Sequence, residues 1–206
     1  MLASIMTDAP FDLARLTLPL REWTSPLFRV HQIVYGADYF GRTGECRFDD
    51  PQMLFGVLYG SEKLEGAYLE TLRLEAHPGK PIPIGPTESW LLARAWSRLT
   101  LTRPLRLVDL ADQQKKLRIP GEVMSGSDYA ESQAWSRALF EHPARVDGIL
   151  YRARHGQDQL SVALFDRGAT EPLFVLDRSR PFMDDLGSTL DLLEECGHLP
   201  VPDDDR

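Results

Sequence analysis

Two cysteines, Cys46 and Cys196, are all that the 206 residues contain, and they stand far apart without the paired spacing of a metal site. That excludes a disulfide-stapled secreted scaffold and a Cys-ligated zinc module, and it fits two reduced thiols in a cytoplasmic protein. No apolar run approaches the length of a membrane span. The opening stretch "MLASIMTDAPFDL" lacks the basic start and long apolar centre of a signal peptide. Positive charge is also in short supply. Lys and Arg number 23 against 31 Asp and Glu, for a formal net charge of −8. A field of that sign opposes direct binding to nucleic acid or to acidic membranes, while a few arginines inside a cleft could still hold a small anion. The usual chemical motifs are missing too. There is no P-loop, no Rossmann glycine fingerprint, no HExxH, no paired CxxC and no G-x-S-x-G elbow. The five histidines, His31, His77, His142, His155 and His198, are scattered.

What is present is an apolar fraction of 43% and a charged fraction of 26%, enough for a sizeable core in an ordinary globular chain. Residues 1–26 read as a leader with a short helix or turn, ended by Pro26. "LFRVHQIVY" (27–35) reads as a strand, and the Gly/Asp/Pro-rich stretch 36–53 as a long loop. "LFGVLYG" (54–60) is a short buried strand. Ser61 is expected to cap the helix after it, in which Leu64, Ala67, Tyr68, Thr71 and Leu72 share a face with Glu70 on its flank. "SWLLARAWSRLTL" is a strand or a helix, and "PLRLVDL" is a strand. "LADQQKKLRI" is a short helix. Residues 126–142 form a helix capped by Ser127 or Asp128. "VDGILYRA", "QLSVALFD" and "PLFVLDRSR" are three strands, and "MDDLGSTLDLLEECG" is a final helix closed by Gly197. Without a regular βαβ rhythm, this order points to a single α+β domain with a mixed, mostly antiparallel sheet flanked by helices. The expected organisation is a leader over 1–26, a domain over 27–180, and a C-terminal helix and acidic tail over 181–206.

One set of residues invites a chemical reading. Arg29 sits inside an apolar strand, where a charge needs a partner or a cleft. Arg47 follows a glycine-containing loop, Tyr59 ends a buried strand, and Glu70 lies on the next helix. Taken singly, each has an ordinary explanation as a paired charge, a core ring or a surface carboxylate.

In order along the chain, these residues resemble the RES domain family, named for an Arg, a Glu and a Ser. The matching pieces are "FRVH" (28–31), "YFGRTGECRFDDP" (39–51), "FGVLYGSEKLEGAYLETL" (55–72), "RLVDL" (106–110), "ESQAWSRAL" (131–139) and "DGILYRARHGQDQLSVALFDR" (147–167). The resemblance implies an ADP-ribosyltransferase-like fold and a toxin-type activity that consumes NAD as substrate, with no recycled cofactor and no metal. It further implies a possible helix-turn-helix antitoxin as protein partner. Arg29 and Glu70 would be the family arginine and glutamate, meeting at one cavity sized for a dinucleotide. Arg47, Tyr59, Arg154 and Ser132 would line it. On this alignment the family serine position falls at Ala153, which has no hydroxyl. Either that serine only orients groups and activity survives, or the chain binds a nucleotide without turning it over.

The chemistry explains why such residues are wanted. Breaking a nicotinamide–ribose bond leaves positive charge on the sugar, as in glycoside hydrolysis, and a fixed carboxylate stabilises it. Guanidinium forks suit a pyrophosphate. An aromatic ring such as Tyr59 could stack on nicotinamide.

Overall fold

The computed structural model describes residues 13–72, 85–119, 129–153, 159–168 and 171–203. Eight strands form one mixed sheet: β1 (Leu20–Trp23), β2 (Leu27–Gln32), β3 (Val57–Ser61), β4 (Arg94–Leu101), β5 (Leu105–Asp109), β6 (Gly148–Arg152), β7 (Leu160–Phe165) and β8 (Phe174–Pro181). Their spatial order is β1-β5-β6-β7-β3-β2-β4-β8. Every pairing is antiparallel except β5 with β6. Four α-helices are described: α1 (Leu64–Thr71), α2 (Glu88–Leu92), α3 (Ala130–Glu141) and α4 (Leu186–Glu195). The architecture is α+β in a single domain, with the helices packed against a mostly antiparallel sheet.

The sheet is covered on both sides. β6 and β7 are apolar almost without interruption and buried along nearly their whole length, as central strands should be. On one face Val57, Val108, Ile149, Tyr151, Ala163 and Phe165 pack under Trp135 and Leu139 of α3. α3 lies in the connection from β5 to β6, because a parallel pair cannot be joined by a hairpin and needs a crossover. The opposite face carries Leu27, Leu58, Leu99, Leu107, Leu150, Val162 and Leu164, covered in part by Ala37 and Phe40 of the loop after β2. A third cluster joins Val30 to Ala67, Tyr68 and Leu72 of α1, Trp90 of α2, and Leu192 and Leu193 of α4. The final helix therefore packs on the body of the domain, and Gly197 follows it at φ 70°.

Three expectations change. The segment expected as a leader supplies β1, which pairs with β5 from Leu20↔Val108 to Trp23↔Leu105. β1 exposes three of its four residues, so its place comes from the ladder and from Trp23 in the core rather than from an apolar pattern. Ser61 does not cap α1. It remains in β3, where its hydroxyl bonds Ser161 Oγ at 2.7 Å, and the cap position is Lys63 with no side-chain bond. "SWLLARAWSRLTL" is both of its alternatives in turn: α2, capped by the Thr87 hydroxyl accepting from Trp90 N, then β4. The expected caps Ser127 and Asp128 lie outside the described residues.

Candidate functional site

α1 crosses the sheet close to Ser61. A side chain on Gly66 would meet Gln159 Oε1 at 2.4 Å and Ser61 Cβ at 3.2 Å, so the glycine is what permits the approach. Glu70 is one helical turn beyond Gly66 and shares its side of the helix. Its Oε2 accepts a hydrogen bond from Tyr151 Oη on β6 at 3.0 Å. Across the strands, Ser61 is in register with Ser161, and Ser161 with Tyr151. Two small serines thus clear the ground between the helix and the tyrosine.

Arg47 arrives on the loop between β2 and β3, and that loop is held from two sides. From the sheet, Tyr59 Oη accepts from Phe48 N at 3.0 Å and donates to Asp49 Oδ1 at 2.9 Å. Asp49 Oδ2 in turn accepts from the Thr43 hydroxyl at 2.8 Å and from Cys46 N at 3.2 Å. From α3, Gln133 Nε2 donates to Gly44 O and Cys46 O, and the Ser136 hydroxyl donates to Phe48 O at 2.6 Å. Phe48 packs edge-on against Tyr151, with ring centroids 4.9 Å apart. Burial first, and then the charge of Asp49, push the Tyr59 phenol far above its usual range, so it remains a protonated donor.

The Arg47 side chain that this loop presents is only 8% exposed. Its Nε and Nη1 are buried and make no hydrogen bond among the described residues, while its guanidinium lies 5.8 Å from the Tyr129 ring centroid. A buried guanidinium with two unused donors is costly and unusual. Its charge acts against the other influences on Tyr151. That phenol is pushed well above its ordinary range, first by burial and then by the charge and hydrogen bond of Glu70.

Arg29 does not join Glu70 through any contact among the described residues. In β2 the residue paired with Ser61 is Phe28. Alternation then turns Phe28 and Val30 toward the helices and sends Arg29 to the opposite face, with Leu27 and His31. There Arg29 Nη1 donates to Ala37 O at 2.7 Å. Burial lowers its pKa to about 10, against the pull of Asp38 and Tyr39. His31 lies in the same row, bonded to Ser97 Oγ at 2.8 Å, with its pKa lowered chiefly by burial. The half-buried Tyr59 ring packs against the core cluster, and its hydroxyl holds the Arg47 loop. Ser132 is buried in the first turn of α3 and donates to Tyr129 O at 3.0 Å. Ala153 is 1% exposed, two residues past Tyr151, with its amide on Gln159 O. Arg154 lies outside the described residues. Two surface hollows, one beside Asp38, Phe40 and Leu173 and one beside Phe140, His142 and Arg145, include neither Arg47 nor Glu70. Sequence reasoning missed Tyr151, Gln133 and Ser136. The i, i+3 spacing of the last two on α3 is the one available signal.

The chain matches the family model described as RES domain over residues 26–184. It belongs to the RES domain family. It is 31% identical over 114 residues to a probable toxin, y4kH, of Sinorhizobium fredii, covering 55% of this chain and 86% of that protein. The fold is also similar to a chain in the crystal structure of the M. tuberculosis MbcT–MbcA toxin–antitoxin complex. The TM-score is 0.64 at 19% identity, over 86% of this chain and 91% of that one. No helix among the described residues is long and apolar enough to cross a membrane.

Proposed function

We propose that this RES domain is a toxin-type enzyme that cleaves NAD at the nicotinamide–ribose bond. The observation that carries the reading is the pair of buried Arg47 nitrogens without a hydrogen-bond partner among the described residues, near the Phe48–Tyr151 pair and the Glu70 carboxylate. A pyrophosphate supplies the acceptors that Arg47 lacks. The carboxylate faces the ribose. As the bond from C1′ to the nicotinamide nitrogen breaks, its electron pair leaves with nicotinamide, and the positive charge left on the sugar is stabilised by Glu70. Water, phosphate or a protein side chain then adds at C1′, giving hydrolysis, phosphorolysis or ADP-ribosyl transfer. Tyr59 acts through the loop it holds. Arg29 anchors the neighbouring loop segment at Ala37.

A second reading keeps NAD binding and removes turnover. It is favoured by Ala153, whose methyl stands where the family resemblance calls for a hydroxyl. The described contacts put no other serine into its place, since the Ser132 hydroxyl is used locally. The toxin reading also implies an antitoxin partner. It draws on the relative named a probable toxin and on the neighbour solved with its antitoxin. A helix-turn-helix antitoxin carrying basic surface suits the acidic chain, and co-purification with the product of an adjacent small gene tests it.

The deciding experiment is incubation of the purified protein with NAD and measurement of released nicotinamide. Release that falls at least a hundredfold in Glu70→Gln supports the enzyme. NAD binding without release supports the second reading. Neither binding nor release rejects both.

A further inference from the structure

Tyr151 lies in a strand, "GILYR", that reads as plain core, and the ring does pack as core. It is 1% exposed and locked edge-on against Phe48. A tyrosine in such a place differs from phenylalanine only by its hydroxyl, and a buried hydroxyl must find a partner. This one reaches across from the sheet to α1 and donates to Glu70 Oε2 at 3.0 Å. The geometry around the pair is built for that reach. Ser61 and Ser161, in register with Tyr151, are the small residues over which α1 passes, and Gly66 brings the helix down one turn before Glu70. Glutamate has three side-chain torsions, and a carboxylate at the edge of a helix samples many positions unless something fixes it.

We infer that Tyr151 is a positioning residue for Glu70, its hydroxyl holding one carboxylate oxygen from the sheet and so helping to aim the carboxylate. The inference rests on the NAD-cleavage reading for its kinetic consequence, but not for its geometry. The phenol suits the task because its surroundings keep it protonated, and so always a donor. A charged acceptor makes the bond stronger than a neutral pair would.

The test is Tyr151→Phe, which keeps the ring, its packing on Phe48 and the strand. With NAD as substrate, kcat is expected to fall about tenfold, the size of one hydrogen bond to a charged group, with KM changed less than about twofold. A crystal structure of the variant is expected to show the Glu70 carboxylate displaced from its wild-type place. An unchanged kcat, a raised KM at constant kcat, or an unmoved Glu70 overturns the inference. Glu70→Asp withdraws the carboxylate by one methylene without touching the β6 core. In that background Tyr151→Phe is expected to add no further loss, whereas additive losses mark a merely structural role for the tyrosine. If wild-type protein leaves NAD intact, the functional reading falls, and the Glu70 coordinates in Tyr151→Phe alone decide the positioning. If wild-type protein cleaves NAD and Tyr151→Phe does so equally well, the positioning falls and the functional reading stands.

Discussion

Replacing Arg47 with methionine should make the protein more stable and a worse binder of NAD. The guanidinium is 8% exposed, and two of its nitrogens lack hydrogen-bond partners among the described residues. Each buried, unmade hydrogen bond costs about 1–3 kcal/mol. Against that, the Tyr129 ring at 5.8 Å contributes about 0.5–1 kcal/mol of cation–π attraction. Methionine fills similar volume with no donor and no charge. The net effect is a stabilisation of about 1–5 kcal/mol, the direction seen when buried ionic groups are exchanged for apolar ones. In a chain of this size that raises Tm by roughly 2–20 °C. Affinity should move the other way. Two charge-assisted bonds to a pyrophosphate are worth about 1.5–3 kcal/mol each, so Kd should weaken by about 10² to 10⁴. Thermal unfolding and calorimetric titration with NAD read the two effects on the same sample. A variant that melts several degrees lower while binding NAD as wild type does would show that Arg47 is structural and that its donors are already satisfied.

Three further outcomes follow from the geometry. Tyr59→Phe should lower stability by about 2–3 kcal/mol, because Phe48 N loses its acceptor and buried Asp49 loses a donor, and amide exchange at Phe48 should quicken. Gly148→Ala should lower the urea midpoint by an amount equivalent to at least about 1–3 kcal/mol, because the new methyl would lie 2.2 Å from Ala163 O, and backbone cannot rotate away as a side chain can. Asp147 should make the fold sensitive to acid. Burial raises its pKa, but the Arg103 fork and the Arg106 amide outweigh that and hold it below the usual range. A carboxylate depressed in the folded state contributes stability above its unfolded pKa and loses it as pH falls through the folded value. Wild-type stability should therefore decline below about pH 4. Asp147→Asn should be less stable at pH 7 and show a shallower acid decline in pH-dependent denaturation.

The strands that bury both faces were legible because their signal is local. "GILY" and "SVALF" are apolar runs whatever they pair with. β1 was not, because "LREW" exposes three of four residues and owes its position to a partner strand more than eighty residues away. Ser61 illustrates a competition that sequence cannot settle. A serine before a helix is a good cap, but this one is still within the ladder and its hydroxyl goes to Ser161. Glu70 stood out as a carboxylate on the flank of an apolar stripe, and Arg47 through the family pattern "RFDDP", but the contacts that place them beside Tyr151 and Tyr129 are long-range. The face that Arg29 takes could have been read from alternation. Phe28 and Val30 already occupy the helix-facing side of β2, which leaves the arginine the other one. Tyr151 was hidden because the feature that sets it apart from core, its hydrogen bond to Glu70, joins residues 81 positions apart.

The way the Arg47 loop is fastened bears on what Arg47 is for. If the guanidinium held its own loop, any ligand would have to compete with those bonds, and most of the binding energy would go into breaking them. Here the loop is held without it. Asp49 and Tyr59 fix one side, Gln133 and Ser136 fix the other, and Gly44 takes the left-handed turn at φ 72° between them. The stability lost in burying this charge is offset by neighbours that, among the described residues, leave its Nε and Nη1 unused. Strain of this kind persists only where the surroundings over-determine it. On the proposed reading the donors are fixed before an anion arrives, so little ordering would remain to be done on binding. A residue whose role was to stabilise the fold would have its donors satisfied by the fold. Among the described residues Nε and Nη1 of Arg47 have no such partner, which is the arrangement the proposed pyrophosphate contact calls for.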